Sequence, residues 1–248
     1  MLTGTADVER LARSAPRLER YLAEPMVLED VALFQLVLEM RNGAREAVLP
    51  PSLHPTVPPT LSLQVWDVAD SPWGPFRMAV SRVSCRAGVR ARGFTTAAVV
   101  SSAPACDGLR GALGYPARTG EIAFVHGYSG VEATVRIGDG CALRCHAIDP
   151  EPIGADDAQY TGTLNLAQAP AGLRLLQVEF DVVPDRAERL RARLEAFDAA
   201  AWGEPLLDPY FVVAASLARG RVTFAPLRFA LRVDELAFTG TESIAGQG

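Results

Sequence analysis

The chain has 248 residues, 49% of them hydrophobic, enough for a substantial core and best read as one large β domain. Its formal charge of −5 comes from 24 arginines against 29 carboxylates, and the arginines are spread along the chain, so nucleic acid is not an expected partner. No position is lysine, which excludes any chemistry through a side-chain amine and reads compositionally as a bias favouring Arg and Ala.

No apolar run reaches the length of a bilayer span, and Met1 to Asp7 lacks the positive-then-apolar order of a signal peptide, so a cytoplasmic protein without a membrane partner is expected. Cys85, Cys106, Cys141 and Cys145 are too few for a disulfide framework. Cys141 and Cys145 with His146 invite a metal reading, but CALRCHAI reads as a strand, on which His146 points away from both cysteines. Structural thiols are expected there, with no metal and no cofactor.

In chain order, residues 1–25 read as a helical extension. Val8, Leu11 and Ala15 recur at helical spacing, and Pro16 suits the first turn of a second helix through Leu22. The main domain is expected over 26–238. It opens with VALFQLVLEM, a strand carrying Phe34, Leu36, Leu38 and Met40 on one face, followed by a short helix over Asn42 to Ala47 and the proline-rich connector PPSLHPTVPP. Strand-length apolar stretches then recur between turn residues: LSLQVWDV, FRMAVSRVSC, GFTTAAVVS, EIAFVHG, VEATVRIG, CALRCHAI, TGTLNLA, LRLLQVEFDVV, GRVTFAP and LRFALRVDELAF. They predict an α+β chain, mainly an antiparallel barrel or sandwich. PDRAERLRARLEAFDAAAW is predicted to be a helix, with Asp185 and Glu188 as a capping pair and Leu190, Leu194 and Phe197 on one stripe. Residues 239–248 are expected to form a loose tail.

The segment from Gly74 to Arg118 resembles the core of the acetoacetate decarboxylase-like family. Gly74 and Phe76 match the start of its Gly-x-Tyr-x-Glu strand, Pro104-Ala105 its turn, Arg110 its helix arginine, and Tyr115-Pro116 the start of its Tyr-Pro-Lys-Lys motif. Weaker similarity covers most of residues 26 to 235. The resemblance implies a β cone or barrel with a few flanking helices, a small-molecule substrate and assembly as a homo-oligomer. In the family the first lysine of that motif attacks a substrate ketone, and the second lowers its pKa as a neighbouring like charge. Here those positions are Ala117 and Arg118. The family glutamate of the first strand falls at Met78, the pocket arginine near Val31, and a second glutamate near Leu63 or Gln64.

What the resemblance leaves is an apolar cavity lined by Ala117, Met78, Val31 and Phe76, with Glu121 nearby and Arg118 and Tyr115 as its expected polar fixtures. Arg118 can fork around a carboxylate or enolate, Tyr115 can donate to a carbonyl, and His126 shares a strand face with Ile122 and Phe124. The α-amino group of Met1 is the chain's one primary amine, on a terminus ill suited to near-attack geometry. No Ser-His-Asp order, phosphate loop or zinc-protease motif appears; GYSG at Gly127 to Gly130 is followed by a strand, where a nucleophile elbow needs a helix. The leading expectation is a cyclase or pericyclic catalyst of secondary metabolism acting on a polyketide-like chain. Two alternatives stand beside it: a keto-acid lyase or dehydratase using Arg118 with His126 or Glu121, and a non-catalytic binder.

Overall fold

The computed structural model describes residues 2–247, so the Met1 amine lies outside the described residues. Helix α1 (Val8–Ser14) is capped by the Asp7 carboxylate, which accepts from the Glu9 and Arg10 N–H groups. Strands β1 (Met26–Met40), β2 (His54–Pro55), β3 (Thr60–Asp70), β4 (Phe76–Ala87) and β5 (Arg90–Val100) follow. Helix α2 (Ala103–Leu113) leads into β6 (Ala117–Thr119), β7 (Glu121–Gly127), β8 (Gly130–Ile137) and β9 (Gly140–Pro152). The chain then forms β10 (Thr163–Ala169), β11 (Gly172–Val178), β12 (Phe180–Phe197), β13 (Pro209–Phe224), β14 (Phe229–Arg232) and β15 (Thr241–Ser243).

The strands join one sheet in the order β15-β14-β11-β10-β5-β4-β3-β1-β13-β12-β9-β8-β7, with β2 beside β4 and β6 beside β5. Pairing is antiparallel except where β5 meets β10 and β6. The sheet curls until β7 lies against β4 and β5, where Arg77 donates to the Ile122 carbonyl and the Gly120 N–H to the Val100 carbonyl. Among the described residues no helix is long and apolar enough to cross a membrane.

The curl explains why β1, β3, β4 and β5 read as almost continuous apolar runs: both of their faces are covered. Phe34, Leu36, Val65, Ala79 and Val99 enter one core, which also takes Phe124, Val135 and Leu217. The alternate residues Val31, Leu33, Trp66, Met78 and Ala98 enter a second core with α2, Leu176 and Phe224. Each such aliphatic side chain removed from water contributes about 1.5–3 kcal/mol.

Four expectations change. The segment predicted as an amphipathic helix is the second half of β12. Leu190 and Leu194, four apart, share a face in a helix and equally in a strand, so the stripe did not discriminate. The period-two signal was in the charges: Arg189, Arg191 and Arg193 alternate with Leu190, Ala192 and Leu194, and the first two pair with Glu151 and Asp149 on β9. Glu188, expected as a capping residue, is buried and bonded to Arg186 at 2.5 Å. The second N-terminal helix is absent too. Pro16 to Leu18 runs extended beside Gln168, and burial of Leu18 and Tyr21 in the second core outweighs local propensity. Over 42–47 the expected helix is reduced to a tight helical turn, Asn42–Ala44, followed by hydrogen-bonded turns. In the segment expected as a loose tail, Thr241–Ser243 pairs with β14 and Ile244 is buried.

Candidate active-site cavity

The loop from α2 to β6 sets the site. Gly114 closes α2 in the left-handed conformation (φ 66°), where a side chain would lie 2.9 Å from Ala167 and Leu176. Arg110 on the last turn donates to the Ala117 carbonyl at 2.7 Å, and the Pro116 carbonyl accepts from the Ala98 N–H at 3.1 Å. Ala117 is thereby pinned beside Ala98 on β5. Its methyl group enters the second core together with Val31, Phe76, Met78 and Tyr115, all buried.

Further along the same face of β4, past Met78 and Val80, stands Arg82, fully buried. Its Nη1 donates to the Thr161 carbonyl at 3.1 Å and to Thr163 Oγ1 at 2.8 Å. The other edge is poorly occupied: Nε has no partner and Nη2 reaches Gln35 Oε1 only at 3.5 Å. Among the described residues no carboxylate pairs with it. Burying an unpaired guanidinium costs on the order of several kcal/mol. Burial lowers its pKa to about 10, opposed by Tyr115 and Cys85, so it stays charged at neutral pH.

A relay of neutral groups surrounds this cation. Gln64 Nε2 donates to Gln35 Oε1 at 2.8 Å, the Trp66 indole donates to Gln64 Oε1 at 3.3 Å, and Gln35 Nε2 donates to the Gln159 carbonyl at 3.1 Å. Trp66 stacks on Phe224 with ring centres 6.2 Å apart, and Tyr115 meets the same ring edge-on at 6.5 Å. Burial pushes the Tyr115 phenol up to about 12 despite Arg82, Thr163 and Asn165, and pushes Tyr160 up to about 12 despite Ser216. Both therefore remain hydrogen-bond donors at neutral pH. On the far side of Gln35 opens a cavity of about 560 Å³, bounded by Val37, Ile153, Gln159, Ala215 and Ser216, with the exposed Asp157 and Arg189 at its mouth. That volume suits a small molecule.

No family model matches the sequence, and no curated protein sequence matches it. Solved structures do. Acetoacetate decarboxylase from Legionella pneumophila is 17% identical and superposes with a TM-score of 0.72 over 83% of this chain and 86% of its own. The chain has the acetoacetate decarboxylase-like fold. The enduracididine biosynthesis enzyme MppR, complexed with the condensation product of pyruvate and imidazole 4-carboxaldehyde, is 14% identical with a TM-score of 0.66, covering 90% of this chain and 91% of its own. An acetoacetate decarboxylase-like enzyme from Sphingomonas wittichii RW1 is 14% identical with a TM-score of 0.65, covering 83% and 92%.

On the decarboxylase-like fold the residues singled out from sequence divide into two groups. Ala117, Met78, Val31, Phe76 and Tyr115 all lie in the second core, and none of them lines the 560 Å³ cavity. Arg118 does not join them: on β6 it alternates with Ala117, lies across from Val99 on the opposite face, and donates to the Ala201 carbonyl. His126 also serves the first core's side, its ring 4.9 Å from Phe124 and its Nε2 3.7 Å from Asp67 Oδ2. Burial and Arg219 lower its pKa against the pull of Asp67. Glu121 is exposed across from Arg136. Cys145 is buried on β9, and no described cluster of His, Cys, Asp and Glu is close enough to hold a metal. Sequence reasoning missed Arg82, Gln35 and Tyr160. Strand alternation carried a signal for the first, since Arg82 is four residues from Met78 on FRMAVSRVSC and so shares its face.

Proposed function

We propose that this protein is a small-molecule enzyme that works on a decarboxylase-like scaffold without a Schiff base, shaping an apolar, polyketide-like substrate for ring closure. The feature that carries the reading is Ala117, a buried methyl group in the second core, which also holds Val31, Met78 and Phe76, at the position where the resemblance implies an amine. Farther along the same face, at and behind the cavity wall, stand donors of fixed protonation: the Arg82 cation, the Gln35 and Gln64 amides and, next to Ser216, the Tyr160 phenol. Such a set polarises a carbonyl and stabilises the enol oxygen that develops as the chain folds. A pericyclic or enol-driven closure requires no strong base from the protein, and holding the reacting carbons in register lowers its barrier by up to about 7–11 kcal/mol in favourable cases. Among the described lining residues the one carboxylate is Asp157, exposed at the cavity mouth.

The lyase reading has less support, because Arg118 and His126 are engaged on the other face of the sheet and Glu121 is exposed. A pure binder would use the same cavity, and turnover separates the two. Incubation with a linear tetraketide acid, followed by chromatography, is expected to show ring closure faster than in buffer and slower with Gln35→Leu. A rate equal to buffer overturns the proposal.

A further inference from the structure

Arg82 carries a feature that the packing of the fold does not explain. A guanidinium presents two parallel N–H bonds along its Nε–Nη2 edge, the geometry that grips both oxygens of a carboxylate. In Arg82 the opposite nitrogen, Nη1, is anchored twice, by Thr161 and Thr163, which fixes the plane of the group. The Nε–Nη2 edge is left with one long contact to a neutral amide oxygen, Gln35 Oε1 at 3.5 Å. That oxygen belongs to the side chain that forms the inner wall of the 560 Å³ cavity, so the weak occupant stands between the cavity and the cation. In the unliganded protein the glutamine is held by Gln64 Nε2, which donates to its Oε1, and by the Gln159 carbonyl, which accepts from its Nε2, and turning Oε1 aside exchanges these neutral bonds for the charged pair. Gly93 contributes room, since a side chain there would lie 3.4 Å from Arg82 Nε.

We propose that the Nε–Nη2 edge of Arg82 is the anchor for one carboxylate of the cavity's ligand, admitted when Gln35 Oε1 turns aside. The inference rests on the reading of this cavity as the substrate site, and it names the substrate class: an acid with an apolar body. The carboxylate supplies the missing counter-charge and two charge-assisted hydrogen bonds. The apolar body remains between Val37, Ile153 and Ala215. No bond is made or broken in this step.

The test uses cinnamate and cinnamamide, two planar molecules of nearly the same shape that differ in charge, titrated into the full chain by calorimetry. Wild type is expected to bind the acid at least about ten-fold more tightly than the amide. Arg82→Met should remove the preference, and Arg82→Lys, which keeps the charge but not the fork, should reduce it. Gln35→Ala should preserve or strengthen it, with folding of each variant checked by circular dichroism. Equal affinity for acid and amide in wild type, no saturable binding of cinnamate at millimolar concentration, or a preference that survives Arg82→Met would overturn the anchor. Failure of the ring-closure reading shows instead as an unaccelerated tetraketide, so the two failures are read separately.

Discussion

Two regions lie on the same face of the same strands and differ in what they do with polarity. Val31, Phe76, Met78 and Ala117 belong to a buried core whose ionisable members are the Tyr21 and Tyr115 phenols and the Cys106 thiol. A few residues along, Arg82, Gln35 and Gln64 form a chamber with a permanent cation, a donor relay and a cavity at its end. The first has the composition of a folding core, whereas the second retains a charge that folding alone does not reward. On this face polarity stands at the centre of β4 and the apolar side chains stand towards β6.

The comparison is broken most forcefully by placing charge in the first region. Ala117→Lys should destabilise the protein by about 3–5 kcal/mol, read from urea unfolding, because the amine has no counter-charge in the cluster. Trp66→Ala, at the wall between the two regions, should cost a similar 3–5 kcal/mol or so through the cavity it leaves against Phe224. Tyrosine ionisation sharpens the contrast next. In the native protein Tyr115 and Tyr160 should titrate near pH 12 by ultraviolet difference absorbance, against about 10 for the unfolded chain. Their folded values are raised, so the stability they contribute is complete below pH 10 and is lost as pH rises from there towards 12. At the low end, the lowered pKa of His126 means that its contribution is present above its unfolded value of about 6.5 and is lost as pH falls below it. At the chamber the sign reverses: Arg82→Met should leave the unliganded protein as stable as wild type or stabilise it by about 1–4 kcal/mol, because it removes a buried charge with no counter-charge among the described residues. A loss of about 3 kcal/mol or more would make Arg82 an ordinary structural residue.

Much of the strand framework was legible because alternation survives wherever a strand is long. Phe34, Leu36, Leu38 and Met40 share a face of β1 as their spacing required, and Ile122 and Phe124 do so on β7. Ala117, Met78 and Val31, singled out through the motif, all belong to the second core. What stayed hidden depended on information that no local window holds. The apolar stripe of β12 fits a helix and a strand alike, and the carboxylates of β9 that give its alternating arginines their meaning lie far away in sequence. Arg118 drew attention through the motif, but its adjacency to Ala117 is itself what sends it to the other side of the sheet. Gln35 and Arg82 are far apart in sequence and became neighbours through the β1–β3–β4 register, in which Gln35 faces Gln64 and Gln64 faces Val80. Nothing in either local segment marks the pair as a site.

The central claim is that this scaffold operates without an amine at its second core. Acetoacetate and borohydride, followed by intact mass, test it on wild type and on Ala117→Lys in parallel. The expected result is an unmodified wild-type chain and, in the folded fraction of the variant, a trapped adduct on the new lysine. A covalent adduct on wild type, or carbon dioxide release from acetoacetate at a rate well above buffer, would contradict it.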